Sequence, residues 1–312
     1  MVRIDKMHKA RAGFLALALM LIPLYQNDVG QNRPNPGQVI VPESLPWLPP
    51  GSRIETLERR IEPPDGFRRP PSPERSFASW LRALPVKPGR PQVRLYNGQL
   101  KTNQTAHCAV LDIDVGNRNL QQCADAVMRL RAEYLRSAGC EDSVEFHFTS
   151  GDLVSWARWR TGERPIVSRN RVVWRAGSIP DSSYQGFRSY LDQVFTYAGS
   201  ASLARELVKV ADLAFPDPGD VYVQAGSPGH AVVVADVCIN SRGERMFLLG
   251  QSYMPAQEIH ILVNPGSSRS PWYPARSVGR LLTPEWTFDY RDLRRFRPAN
   301  CGPEREPAQP PS

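Results

Sequence analysis

Lysine is nearly missing from this 312-residue chain. Only Lys6, Lys9, Lys87, Lys101 and Lys209 stand among its 39 basic residues, so the formal charge of +8 rests on arginine. No block of five or six basic residues occurs, which argues for arginines scattered over a solvated surface and against a nucleic-acid partner. The phosphate cradles GxxxxGK[ST] and GxGxxG are absent too, and with them the case for a nucleotide cofactor. HxxxH, HxH and CxxC spacings are lacking. His107, His147, His230 and His260 fall on separate predicted strands, so no metal site and no cofactor are expected. The apolar run at residues 12–24 is shorter than the roughly twenty residues a membrane span needs.

That run follows Arg3, Lys6, His8, Lys9 and Arg11, the layout of a signal peptide or an N-terminal anchor over residues 1–30. Export to the periplasm or beyond is the expectation, with membrane contact only through this segment. Proline is abundant where lysine is not. Its 30 residues are about twice the usual share and cluster at the two ends. Residues 31–75 read as a Pro-rich strap or linker, 76–296 as one domain, and 297–312 as a disordered Pro-rich tail. Exported chains keep disulfides, yet the five cysteines, Cys108, Cys123, Cys140, Cys238 and Cys301, are odd in number. If Cys123 is free, the other four allow three pairings, and five unpaired thiols are the alternative.

Within the domain, Leu120, Cys123, Val127, Leu130 and Tyr134 recur at 3,4,3,4 spacing and Gly139 follows, predicting a helix over 119–138. Helices are also predicted over 76–84, 152–159, 184–197 and 202–213. Strands are expected over 93–96, 106–115, 144–149, 171–175, 220–223, 230–237, 245–250 and 259–263. Asn240-Ser-Arg-Gly243 should turn one strand into the next. Helices early and strands late predict an α+β fold, helices packed on a mainly antiparallel sheet.

Nucleophilic cysteine chemistry needs a thiol, a base, a group that orients the base, and donors for the oxyanion. Cys123 opens the best helix, where unpaired N–H groups should lower its pKa. His230 opens the most apolar strand as the candidate base. Gln251 ends the next strand and should lie beside His230 if the two form a hairpin. Gln122 is the candidate oxyanion donor. Trp156, Trp159 and Tyr253 are candidate groove aromatics for substrate, and Ser252 in Gly250-Gln-Ser-Tyr-Met254 loosely mimics a nucleophile elbow. Because side chains two apart share a strand face, His230, Val232, Val234 and Asp236 should point the same way. The dyad requires that face to meet the 119–138 helix.

The stretch PGDVYVQAGSPGHAVVVADV at 218–237 resembles the core of papain-like amidases of the cell-wall hydrolase type. That resemblance implies Cys123, His230 and Gln251 as catalytic residues, and the expected export points to an amide or peptide bond of the cell envelope as substrate. A second, wider resemblance rests on Leu120-Gln-Gln-Cys-Ala-Asp125, Gln251-Ser-Tyr-Met-Pro-Ala-Gln257, His260 and Thr283-Pro-Glu-Trp-Thr-Phe288. Over about 80–296 the chain is similar to the exported bacterial family catalogued as domain of unknown function 4846, which implies an envelope or secreted protein. A non-catalytic envelope module that binds glycan or protein is the competing expectation.

Overall fold

In the computed structural model, residues 45–299 and 301 are described, together with the backbone of 38–40. The expected signal or anchor at 1–30 and most of the expected tail lie outside the described residues. Seven elements precede the first long helix: β1 (Gln38–Ile40), β2 (Arg53–Thr56), α1 (Leu57–Arg60), β3 (Phe67–Arg68), α2 (Phe77–Arg82), β4 (Pro85–Val86) and β5 (His107–Val110). Then come α3 (Cys123–Ser137), β6 (Glu145–His147), β7 (Leu153–Ser155), α4 (Trp156–Arg160), β8 (Arg164–Ser168), β9 (Arg171–Arg175), α5 (Tyr184–Tyr197), α6 (Ser200–Glu206) and β10 (Val208–Lys209). Apart from a 3-10 turn at Tyr290–Asp292, the remaining elements are strands: β11 (Val221–Gln224), β12 (His230–Asn240), β13 (Arg245–Gln251), β14 (His260–Leu262), β15 (Tyr273–Pro274), β16 (Arg280–Leu282), β17 (Thr287–Asp289) and β18 (Leu293–Arg295).

The fold is α+β. The main sheet runs β10-β18-β11-β12-β13-β14-β5, with β15 on β13 and β3 on β12, and its pairings are antiparallel. The turn at 240–243 forms as expected, closed by Gly243 N–H on the Asn240 carbonyl at 3.1 Å. Its Gly243 sits at φ 84°, a left-handed position that glycine fills without a Cβ clash. Gly139 ends α3 in the same way at φ 75°, with Cys140 N–H bonding the Leu135 carbonyl at 2.8 Å.

Some predicted elements are shorter or of another type. The 106–115 strand stops at Val110, because Leu111 and Asp112 turn their N–H groups to Ile259 and Pro85. Residues 93–96 make only isolated bridges. The 152–159 helix begins as β7, whose N–H and C=O groups pair with β6, and only Trp156–Arg160 is helical. The 202–213 helix ends at Glu206 and gives way to β10.

Two apolar layers flank β12. Ala231, Val233, Ala235 and Cys238 join the main core with α3 and α5 residues. Val232, Val234 and Val237 join Tyr222, Phe247, Leu249, Leu281 and Phe288 on the other side. The expected common face for His230, Val232, Val234 and Asp236 breaks at a register shift between Val234 and Asp236. A bulge inserts one unpaired residue and reverses the alternation beyond it. Asp236 therefore binds Arg82 of α2 at 2.6 Å and Arg69 at 2.6 Å, fully buried. Asp236→Ala would leave both guanidinium groups without their carboxylate. We expect a loss of about 4 kcal/mol, the cost of breaking a buried ion pair from one side, read as a lower denaturation midpoint. A loss below about 1 kcal/mol would show that water replaces the carboxylate.

Candidate active site

Strand pairing sets the first contact. Gln224 lies opposite His230, and Gln251 opposite His260, so the ends of β12, β13 and β14 bring His230, Gln251 and His260 into one row. His230 Nε2 is 2.9 Å from Gln251 Oε1. The Gln251 amide nitrogen donates to Glu285 at 2.8 Å and lies 3.3 Å from His260 Nε2. His260 Nδ1 lies 2.9 Å from the Glu258 carbonyl.

These bonds assign the protons. A carbonyl only accepts, so His260 Nδ1 carries its hydrogen and Nε2 is bare. The Gln251 NH₂ then has two acceptors, His260 and the Glu285 carboxylate, and its oxygen faces His230. His230 must hold its hydrogen on Nε2, which leaves Nδ1 with a lone pair. No hydrogen bond engages that Nδ1 among the described residues. Burial pushes the His230 imidazole down to about 4, opposed by the Gln251 bond, and burial pushes His260 down to about 3. Both rings are neutral bases at pH 7.

Around this row stand groups distant in sequence. Lys101 forms an ion pair with the far oxygen of Glu285, and Asn103 adds a bond of 3.3 Å. The rings of Tyr253, Trp286 and Phe288 surround His230 at centroid distances of 4.8, 5.2 and 5.8 Å. Trp286 is held in turn by its Nε1–H on Gln224 Oε1 at 3.0 Å.

The start of α3 is stitched to the same strand end. Ser252 Oγ lies 3.0 Å from the Gln121 carbonyl and 2.8 Å from the Gln257 carbonyl and shares its one hydrogen between them, and Asn119 accepts from Ala256 N–H at 2.8 Å. Ser252 is a buried brace and not an exposed nucleophile. The Cys123 sulfur lies against the N–H of Ala231, the residue after His230, and near Tyr253, whose phenol is raised by burial first, then by Glu285 and by Cys123. Thiol and imidazole thus share the head of β12, although no hydrogen bond joins them among the described residues. The β12 face that meets α3 is that of Ala231 and Val233, so the expected meeting of the His230 face with the 119–138 helix does not form; that face packs instead with Tyr222, Phe247 and Phe288.

The expected lowering of the Cys123 pKa is reversed. Burial at 8 % exposure dominates and raises it, and the Asp125 carboxyl adds to the rise, while the N–H groups of Ala231, Ala124 and Cys123 act against it. A helix start favours a thiolate only as far as water or a cation helps to solvate it. Asp125 is itself pushed up to about 8 by burial, so it adds little charge at pH 7.

Gln122 donates its side-chain amide to Asn119 at 3.3 Å and its N–H to Asp125 at 3.1 Å, beside the thiol. Tyr253 is in the site. Trp156 and Trp159 are not groove residues: both are buried, packed against Tyr190 at 5.7 and 5.9 Å, because their volume fills the core between α4 and α5. Sequence reasoning left out His260, Glu285 and Lys101 as site residues. The signal was there in the Thr283-Pro-Glu-Trp286 motif and in His260, both among the residues of the wider resemblance. His107 stacks edge-on with His260 at 5.8 Å, yet no group of three residues suited to a metal ion occurs among the described residues. Nor is any helix among them long and apolar enough to cross a membrane.

The family model described as domain of unknown function (4846) matches residues 57–295, well over half of the chain. No curated protein and no solved structure matches. The chain belongs to the domain of unknown function 4846 family.

Proposed function

We propose that this family member is a cysteine hydrolase of papain-like type that cleaves an amide or peptide bond of the bacterial cell envelope. One observation carries the reading: Gln251, locked by Glu285 and His260, fixes the His230 tautomer with a bare Nδ1 at the strand end that also holds the Cys123 thiol. In the resting state both partners are neutral. As the sulfur attacks the substrate carbonyl, His230 Nδ1 takes the thiol proton, and Gln251 Oε1 steadies the imidazolium that forms. The oxyanion meets the Gln122 amide and first-turn N–H groups of α3, which lack intrahelical partners. His230 then returns the proton to the leaving amine, and water hydrolyses the thioester. Because the β12 face that meets α3 is not the His230 face, the thiol proton passes to His230 through one bridging water at the head of the strand. Export is part of the proposal, supported by the Cys140–Cys301 disulfide.

The test follows Cys123 alkylation by iodoacetamide, read by peptide mass against pH. The rate should climb past pH 8.5, since burial raises the thiol. His230→Ala should slow it at pH 7 at least tenfold, within the range of general-base effects. Equal rates in wild type and His230→Ala would favour a non-catalytic envelope binding module, the reading that the missing Cys123–His230 hydrogen bond supports.

A further inference from the structure

We propose that the β8–β9 hairpin, far in sequence from the N-terminal segment, is a docking surface for an anionic lipid bilayer. The two strands pair only with each other. One face is anchored: Pro165 is buried, and Val167, Val172 and Trp174 pack against the main core. The other face is open. Ile166 pairs directly with Val173, and the two are 41 % and 59 % exposed, so β-branched side chains stand together in water at the centre of that face. Ile179, 86 % exposed, lies just beyond, in a loop tied to the hairpin base by Ser178 N–H on the Gly162 carbonyl at 3.1 Å.

Charge surrounds this apolar centre. From Arg164 to Arg175 the chain carries four arginines and no acidic residue. Arg164 pairs across the base with Arg175, and Arg171 sits opposite Ser168 near the tip. No carboxylate pairs with Arg169, Arg171 or Arg175 among the described residues, whereas neighbouring Arg158 and Arg160 are bound to Glu163, Glu141 and Asp142. Arg169 occupies the turn at φ 55°, a left-handed position glycine ordinarily takes, so a guanidinium stands at the tip against backbone preference.

An apolar patch ringed by unpaired arginines fits one surface chemistry best. A bilayer with anionic headgroups accepts the isoleucine and valine side chains among its acyl chains and the guanidinium groups at its phosphates. A nucleic acid or soluble polyanion would use the arginines and leave Ile166, Val173 and Ile179 in water.

The experiment is hydrogen–deuterium exchange on the full chain with vesicles of phosphatidylglycerol and phosphatidylcholine, or of phosphatidylcholine alone. Protection of residues 164–175 by the anionic vesicles only is expected, and it is read independently of the N-terminal segment. Arg171→Gln with Arg175→Gln should raise the lipid concentration needed for half-protection roughly 25-fold, about fivefold per charge. Ile166→Ser with Val173→Ser should raise it too, with unchanged thermal midpoint because neither side chain enters the core. Unchanged exchange with anionic vesicles overturns the proposal. So does full binding by the Ile166→Ser, Val173→Ser variant with complete competition by polyphosphate, which would mark a polyanion surface instead.

Discussion

By pH 4, His230 and His260 together are expected to remove about 6 kcal/mol of stability relative to pH 7. Each is neutral and buried in the fold, down to about 4 and about 3, against an ordinary 6.5. Below 6.5 the unfolded chain binds protons at these positions that the native chain does not. Their contribution is thus intact above pH 6.5 and is lost between there and the folded values, at about 1.4 kcal/mol per unit for each ring. Buried acids act in the other sense: Asp125 at about 8 and Glu206 at about 7 hold protons in the fold that the unfolded chain has released, and favour it on acidification. The measurement is therefore a difference. Urea midpoints of His260→Asn and wild type, taken from pH 7 to pH 4, should converge or cross, the variant losing about 3 kcal/mol less. Parallel curves would mean that His260 is charged in the folded protein.

Reduction of the disulfide should be nearly as costly. Cys140 and Cys301 bond across 161 positions, and closing so long a loop is worth about 5 kcal/mol in the chain-entropy view. With about 2–4 °C per kcal/mol for a domain of this size, reductant should lower the melting temperature by roughly 10–20 °C. Cys140→Ser should show the same loss without reductant. A shift under about 3 °C in both would mean that the unfolded chain is compact there without the bond. Cys108, Cys123 and Cys238 remain thiols.

What the sequence made legible was local. The helix over 184–197 forms as read, and the strand–turn–strand around 240–243 was written in its alternation and its Asn and Gly. Counting outward from that turn brings Gln251 to His230. The bulge at Val234–Asp236 was not legible, since nothing in an unbroken apolar run marks an extra residue. Glu285 and Lys101 escaped notice because Glu285 reaches Gln251 across 34 positions and Lys101 reaches Glu285 across 184, where periodicity carries no information. Trp156 and Trp159 were misplaced for a different reason: composition supplies aromatic area but not the side of the core on which it is used. For Cys123, position on the helix was legible, and burial, which decides its pKa, was not.

Twelve of the fifteen residues of α3 are buried, among them Arg129, whose guanidinium binds Glu133, Gln121, Tyr184 and Asp114. A helix gripped on nearly every side cannot shift without repacking the core, so the thiol at its start is a fixed point. Tyr253, half-buried, covers the neighbouring imidazole, and exposed Met254 follows it. On the hydrolase proposal, a reagent or substrate reaches Cys123 past Tyr253 and Met254. The thiol belongs to the frame of the molecule, and the loop that shields its neighbour is pinned to that frame at Ser252 and Ala256, leaving Tyr253 and Met254 between the two pins.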